Sequence, residues 1–139
     1  MPRGLSNLQK WMLTRALENS ESDLCKPRTT FSGEEYQPVH ISRNEVKVDY
    51  YGFPFILPEY WARMNKPREY VRQFYRGQRI FIKSDIPNYA AVNLAITRTI
   101  TRLQRRGLIG EEFFYGLSLT DKGREEARKL LATQECLLT

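Results

Sequence analysis

His40 is the only histidine of the chain, and Cys25 and Cys136 are its only cysteines. A nucleophilic triad would have to run through His40 with Cys25 or a serine, and no nucleophile-elbow or cysteine-protease signature surrounds any candidate. Zinc sites need ligands at short paired spacing, C-x-x-C or H-x-x-x-H, and neither occurs. No glycine-rich phosphate loop is present; Gly107 and Gly110 read as a helix cap and a turn. Glu34-Glu35 and Glu111-Glu112 are acids adjacent in sequence, which is no mark of a catalytic pair. These residues predict a protein without enzymatic chemistry, metal or cofactor. Two distant cysteines allow one disulfide but no disulfide framework. The first residues, MPRGLSNLQKW, lack the apolar stretch of an export signal, so reduced thiols in a cytoplasm are expected.

The chain offers positive charge instead, and it is local. The net charge is +6 over 139 residues. Residues 1–58 carry seven bases and seven acids. Residues 59–83 carry seven bases (Arg63, Lys66, Arg68, Arg72, Arg76, Arg79 and Lys83) against Glu59 and Glu69. Further on, Arg98, Arg102, Arg105 and Arg106 follow one another with no acid among them. Such imbalance suits a polyanionic partner. At 41% hydrophobic and 27% charged residues, with no run long enough for a membrane span, the chain has the composition of one globular domain.

The elements that must position those arginines can be read from period and caps. Leu5, Leu8, Met12 and Ala16, widened by Leu13 and Leu17, form one stripe of a helix over 5–19, with Ser6 and Gln9 at capping-box spacing. Residues 24–40 show no period and read as loop. Ser42 and Glu45 repeat the capping spacing and open a second helix, with Val46, Val48 and Tyr50 as its apolar positions and Gly52 as its end. The run 53–61, FPFILPEYW, reads as an irregular arm or a short helix from Pro58. Pro67 at a first helical position predicts a helix to about Tyr75, ending at Gly77. Arg79 to Lys83 alternates like a short strand. Asn88 then caps a long helix from Tyr89 to about Arg106, buried along Val92, Ile96, Ile100 and Leu103 and closed by Gly107. Leu108 to Thr120 predicts a tight hairpin turning around Tyr115-Gly116. Thr120 caps a last helix over about 121–133, with Ala127, Leu130 and Leu131 inward.

The 89–106 helix is the element of interest. Its outer face carries Asn93, Leu94, Thr97, Arg98, Thr101 and Arg105, donors and small hydroxyls suited to a major groove. Arg98 is the expected base-edge reader, with Asn93, Thr97 and Thr101 on bases or phosphates. Arg102, Arg105 and Arg106 are expected on phosphates, which position without specifying.

AITRTITRLQRRGLI, a short hairpin, then LSLTDKGREEARKLL together resemble the MarR-like winged helix-turn-helix regulators. The resemblance lies in Gly107-Leu108-Ile109 after the arginine-rich helix end, a two-stranded wing at about 110–117, and Leu119-Thr120-Asp121-Lys122-Gly123 opening the next helix. It covers residues 88–131. It implies a mainly α fold with a small β-hairpin, a winged helix-turn-helix that binds double-stranded DNA sequence-specifically and regulates transcription as a homodimer. Residues 5–19 and 121–137, with the apolar tail Cys136-Leu137-Leu138, are the candidate dimer contact.

Two features depart from that pattern. Helix-turn-helix partners are usually joined by three or four residues, whereas 53–87 separate the Ser42 helix from Asn88. Either this stretch is an insertion into a core of 5–52 and 88–135, the reading favoured here, or the 67–75 helix is the second motif helix. The wing also carries Glu111 and Glu112 where basic residues are usual, beside apolar Phe113, Phe114 and Tyr115. Two rival functions follow. The acidic-aromatic hairpin 110–117 suits a protein partner, in a winged-helix interaction module. The basic, aromatic segment 59–83 suits single-stranded nucleic acid, rings stacking on bases and Arg63, Lys66, Arg68, Arg72, Arg76 and Arg79 on phosphates. The same arginines would extend a duplex footprint.

Overall fold

The computed structural model describes residues 4–21, 28–29, 33, 35–36, 39–54, 63, 86–112 and 116–138. The expected arm from Phe55 onward, the 67–75 helix, the 79–83 strand and the hairpin tip at 113–115 lie outside the described residues.

Helix α1 spans Asn7–Ser20. Its start is the expected capping box: the Ser6 hydroxyl accepts from the Gln9 amide at 3.2 Å, and the Gln9 side chain accepts from the Ser6 amide at 2.8 Å. Two of the orphan donors of the first turn are satisfied in this way. Leu8, Met12, Leu13, Ala16 and Leu17 point into the core. Strands β1 (Arg28–Thr29) and β2 (Glu35–Tyr36) pair antiparallel in the stretch expected to be loop throughout. Gly33 lies between them at φ 86°, a left-handed conformation that suits a reversal.

Strand β3 (Ile41–Ser42) runs directly into helix α2 (Arg43–Glu45), which Ser42 caps by accepting from the Glu45 amide at 3.2 Å. The helix then widens into a π-helical segment, Val46–Tyr50, where the Tyr51 amide reaches back five residues to the Val46 carbonyl at 3.2 Å. This corrects one expected apolar position, Tyr50, while Val46 is fully buried as expected. A wider turn shifts the phase of all later side chains, so Tyr50 is exposed and Tyr51 packs on the core in its place. Gly52 ends the segment as expected, at φ 71°.

Helix α3 covers Tyr89–Arg105. Ile96, Ile100 and Leu103 are buried and Val92 partly so, along the expected stripe. Asn88 is not the expected side-chain cap: it sits in the left-handed region at φ 61° and its side chain makes no capping bond. Asparagine tolerates that conformation better than most residues. At the other end the Leu108 amide reaches the Leu103 carbonyl and the Gly107 amide the Gln104 carbonyl, both at 3.0 Å. This paired closure needs left-handed backbone at Gly107, which has φ 73°.

Strand β4 (Gly116–Leu117) pairs antiparallel with β3, Leu117 opposite Ile41 and Gly116 opposite Ser42, and Ile109 bridges to Leu119. Gly116 is therefore a strand residue and not the turn expected there. A Cβ on it would overlap the Val39 side chain, so its bareness serves packing. Helix α4 spans Asp121–Leu138, longer than expected. Thr120 caps it, accepting from the Gly123 amide at 3.0 Å. A Cβ on Gly123 would collide with the Leu108 carbonyl. That close approach seats α4 on the end of α3, and α4 also packs along α1. The result is mainly helical with a small antiparallel sheet. One core joins α1, β3, Val46, α3, Leu108, Ile109, Leu117 and Ala127. Each fully buried Leu or Ile in it contributes about 1.5–3 kcal/mol.

Candidate nucleic-acid interface

Helix α3 is anchored at its start, its flank and its end, by different side chains. At the start, the buried Lys47 amine donates to the Tyr89 hydroxyl at 3.0 Å and lies 4.9 Å from the centre of its ring. Phe53 stacks on the same ring at 5.9 Å. The hydroxyl and the ring face together give a buried ammonium both a hydrogen-bond partner and a negative surface.

On the flank stands Arg43. Its guanidinium donates from Nε and Nη2 to the two oxygens of Glu112, at 2.6 and 2.9 Å, and from Nη1 to the Thr97 hydroxyl at 2.6 Å. The planar fork matches a carboxylate in two parallel bonds. One side chain thus ties α2, α3 and the hairpin together. Glu112 is neutralised by this pair, while Glu111 is exposed. At the end, the Gln104 amide donates to the Gly110 carbonyl at 3.1 Å, and Lys122 and Thr120 satisfy the Arg106 and Gly107 carbonyls at 3.0 and 2.6 Å.

With its inner face buried, α3 turns Ala90, Ala91, Leu94, Arg98, Arg102 and Arg105 outward, all exposed. Arg98, Arg102 and Arg105 form no ion pair among the described residues. Asn93, Thr97 and Thr101 lie half-buried at the edge nearest Arg43. The Thr97 hydroxyl donates to the Asn93 carbonyl and accepts from Arg43, so its capacity is engaged within the fold. The Thr101 hydroxyl donates to the Thr97 carbonyl at 3.0 Å. Arg106 is half-buried on the opposite edge. The seven sequence-chosen residues of α3 and its end thus divide into three exposed arginines and four flanking groups. Arg63 is exposed, whereas Lys66, Arg68, Arg72, Arg76 and Arg79 lie outside the described residues, as does Cys25. Cys136 belongs to the backbone of α4.

Sequence reasoning passed over Arg43, whose partners lie 54 and 69 residues away, and the polar cluster between α1 and α2. Glu45 is fully buried; its carboxylate accepts from Asn19 at 2.9 and 3.1 Å and pairs with Arg15. Arg15 also pairs with Asp49. His40 is buried too. Its amide donates to the Leu117 carbonyl, and its Nδ1 accepts from the Leu119 amide, both at 2.9 Å. The imidazole therefore carries its proton on Nε2 and is neutral. Burial first, and the Arg124 charge second, lower its pKa to about 4. With Nδ1 taken by the sheet, this histidine is placed as a fastener of strand edges.

Among the described residues no group of three or more His, Cys, Asp or Glu could hold a metal ion, and no helix is long and apolar enough to cross a membrane. No family model, curated protein or solved structure matches this chain.

Proposed function

We propose that this protein binds double-stranded DNA through α3 and acts as a transcriptional regulator of winged-helix type. The observation that carries the reading is the outer face of α3, with three exposed arginines and no carboxylate paired to them, on a helix whose other face is locked into the core. An unpaired row of guanidinium groups on a rigid rod is what phosphate oxygens and guanine edges require.

The order of elements supports it. After α1 and the small β1–β2 pair, β3, α2 with its π-helical extension, the reading helix α3, β4 and α4 follow in order, and the stretch Gly116–Leu119 lies between β3 and Ile109. This order is compatible with a winged helix, in which residues 53–87 would be an insertion between the two motif helices. In this reading Arg98 reads a base edge and Arg102, Arg105 and Arg106 sit on phosphates. A homodimer would set two copies of α3 one DNA turn apart. Light scattering that finds only monomer, with and without DNA, would refute that part. The rival hairpin–protein reading is weakened because Glu112, one of its two acids, is engaged by Arg43.

The test is fluorescence anisotropy on a labelled duplex of random sequence at about 50 and 200 mM salt. Each phosphate neutralised adds about 0.9 to the salt slope, so losing two arginines removes about a tenfold share of the salt effect over that range. Arg98→Ala with Arg105→Ala should weaken binding and flatten its salt dependence by that factor. Wild-type protein that ignores duplex DNA at the lower salt would sink the proposal.

A further inference from the structure

Leu94 is 48% exposed, one of two large apolar side chains among the described residues that stand out in this way. It occupies the middle of the outer face of α3, with Ala90 and Ala91 exposed one turn before it and Arg98 exposed one turn after. Nothing in the core calls for a leucine there. Ile96, Ile100 and Leu103 already seat the helix, and Leu94 belongs neither to that core nor to the partly buried residues packed against it.

The charge around it narrows the choice of occupant. Along this face the apolar residues lead directly into Arg98, Arg102 and Arg105, which have no ion-pair partner among the described residues. A partner seated on the face must meet methyl-sized apolar surface at one end and dense positive charge at the other. The major groove of DNA does both, because the C5-methyl of thymine is the apolar group on its floor and phosphates line its walls. Helices that enter that groove touch base edges with their N-terminal residues, and Ala90, Ala91 and Leu94 belong to the N-terminal half of α3.

Resting on the DNA-binding reading, we infer that Leu94, flanked by Ala90 and Ala91, is a specificity residue that packs on a thymine methyl near the base read by Arg98. Four residues of helix advance about 6 Å, and base pairs advance about 3.4 Å. The thymine therefore lies roughly two base pairs from the Arg98 contact. The preferred site holds a thymine and a guanine at that separation, and Leu94 adds discrimination between thymine and its demethylated analogue.

The experiment enriches bound duplexes from a randomised pool, then resynthesises the enriched duplex with deoxyuridine in place of thymidine, one position at a time. Removing one buried methyl should weaken wild-type binding about three- to fivefold at a single position near the guanine. With Leu94→Ala the same swap should cost nothing, while the thermal melt of the free protein is unchanged because Leu94 is not in the core. Wild type that is indifferent to every deoxyuridine swap overturns the inference and leaves DNA binding standing. A Leu94→Ala variant that keeps the full penalty overturns it also. A change of oligomeric state with Leu94→Ala, read by light scattering, would assign the face to a second copy of the chain and overturn it. If no duplex is bound at low salt, the DNA reading and this inference fall together.

Discussion

Acidification should loosen this protein through His40, and the size of the effect follows from its surroundings. The unfolded chain takes up a proton at the ordinary histidine value of 6.5, while burial and Arg124 hold the folded value near 4. The folded state thus resists a proton that the unfolded state accepts. The stabilisation is complete above about pH 7, begins to fall below 6.5, and is lost as pH drops through 4. The whole difference amounts to about 3 kcal/mol, of which about 2 kcal/mol is gone at pH 5. The geometry gives the same sign. Protonating Nδ1 removes the acceptor of the Leu119 amide at 2.9 Å and puts a cation beside Arg124.

Urea unfolding near pH 7.5 and pH 5 measures this directly. The window is clean, since His40 is the only histidine and carboxylates titrate mostly below it. Wild type should lose about 2 kcal/mol between the two conditions. His40→Gln should be less stable at the higher pH and nearly flat across the window. The imidazole resonances of wild type should show no titration above about pH 5. A histidine that titrates near 6.5, or a His40→Gln variant that keeps the wild-type pH slope, would refute the reasoning.

Five further substitutions, at three places, probe the packing around α3. Gly123→Ala forces a methyl into the Leu108 carbonyl and should cost about 1–3 kcal/mol, read as a drop in melting temperature. Glu45→Ala removes a fully buried partner of Asn19 and Arg15 and should cost about 3–5 kcal/mol, whereas Asp49→Ala at the edge of the same network should cost under about 1 kcal/mol. Arg43→Ala and Glu112→Ala, singly and together, should show a coupling of about 1 kcal/mol in urea unfolding; additive losses would mean that the fork does not join α2 to the hairpin.

Much of the frame was legible because its causes are local in sequence. The Ser6–Gln9 and Ser42–Glu45 spacings, the Ile96–Ile100–Leu103 stripe, Gly107 and Thr120 each act within one or two turns, and each appears where its spacing indicated. The π-helical turn was hidden because nothing in VKVDY distinguishes a wide turn from a regular one; only packing of Tyr51 against the core chooses. Gly116 read as a turn because a bare residue also serves a tight strand contact, and the Val39 side chain that requires it gives no local signal. The candidate site was legible in the same uneven way. The period of α3 exposed Arg98, Arg102 and Arg105, but a one-dimensional pattern could not show that Thr97 is held by Arg43.

The separation between the two sides of α3 gives the binding experiments their force. Its inner side is fixed by apolar contacts, by Lys47 and Tyr89 at the start and by the Gly107 closure at the end. Its outer arginines contribute no ion pair among the described residues to that packing. Exposed substitutions away from specific contacts typically change stability by less than about 0.5 kcal/mol. Arg98→Ala and Arg105→Ala should therefore melt like wild type, and any lost affinity belongs to the surface itself. Arg43 is the instructive contrast. It touches the edge of the same face yet holds Glu112 and Thr97, so its loss should move stability and any binding together. If Arg98→Ala instead destabilised the fold as much as Arg43→Ala does, the outer face would be part of the scaffold, and the reason for reading it as a binding surface would be gone.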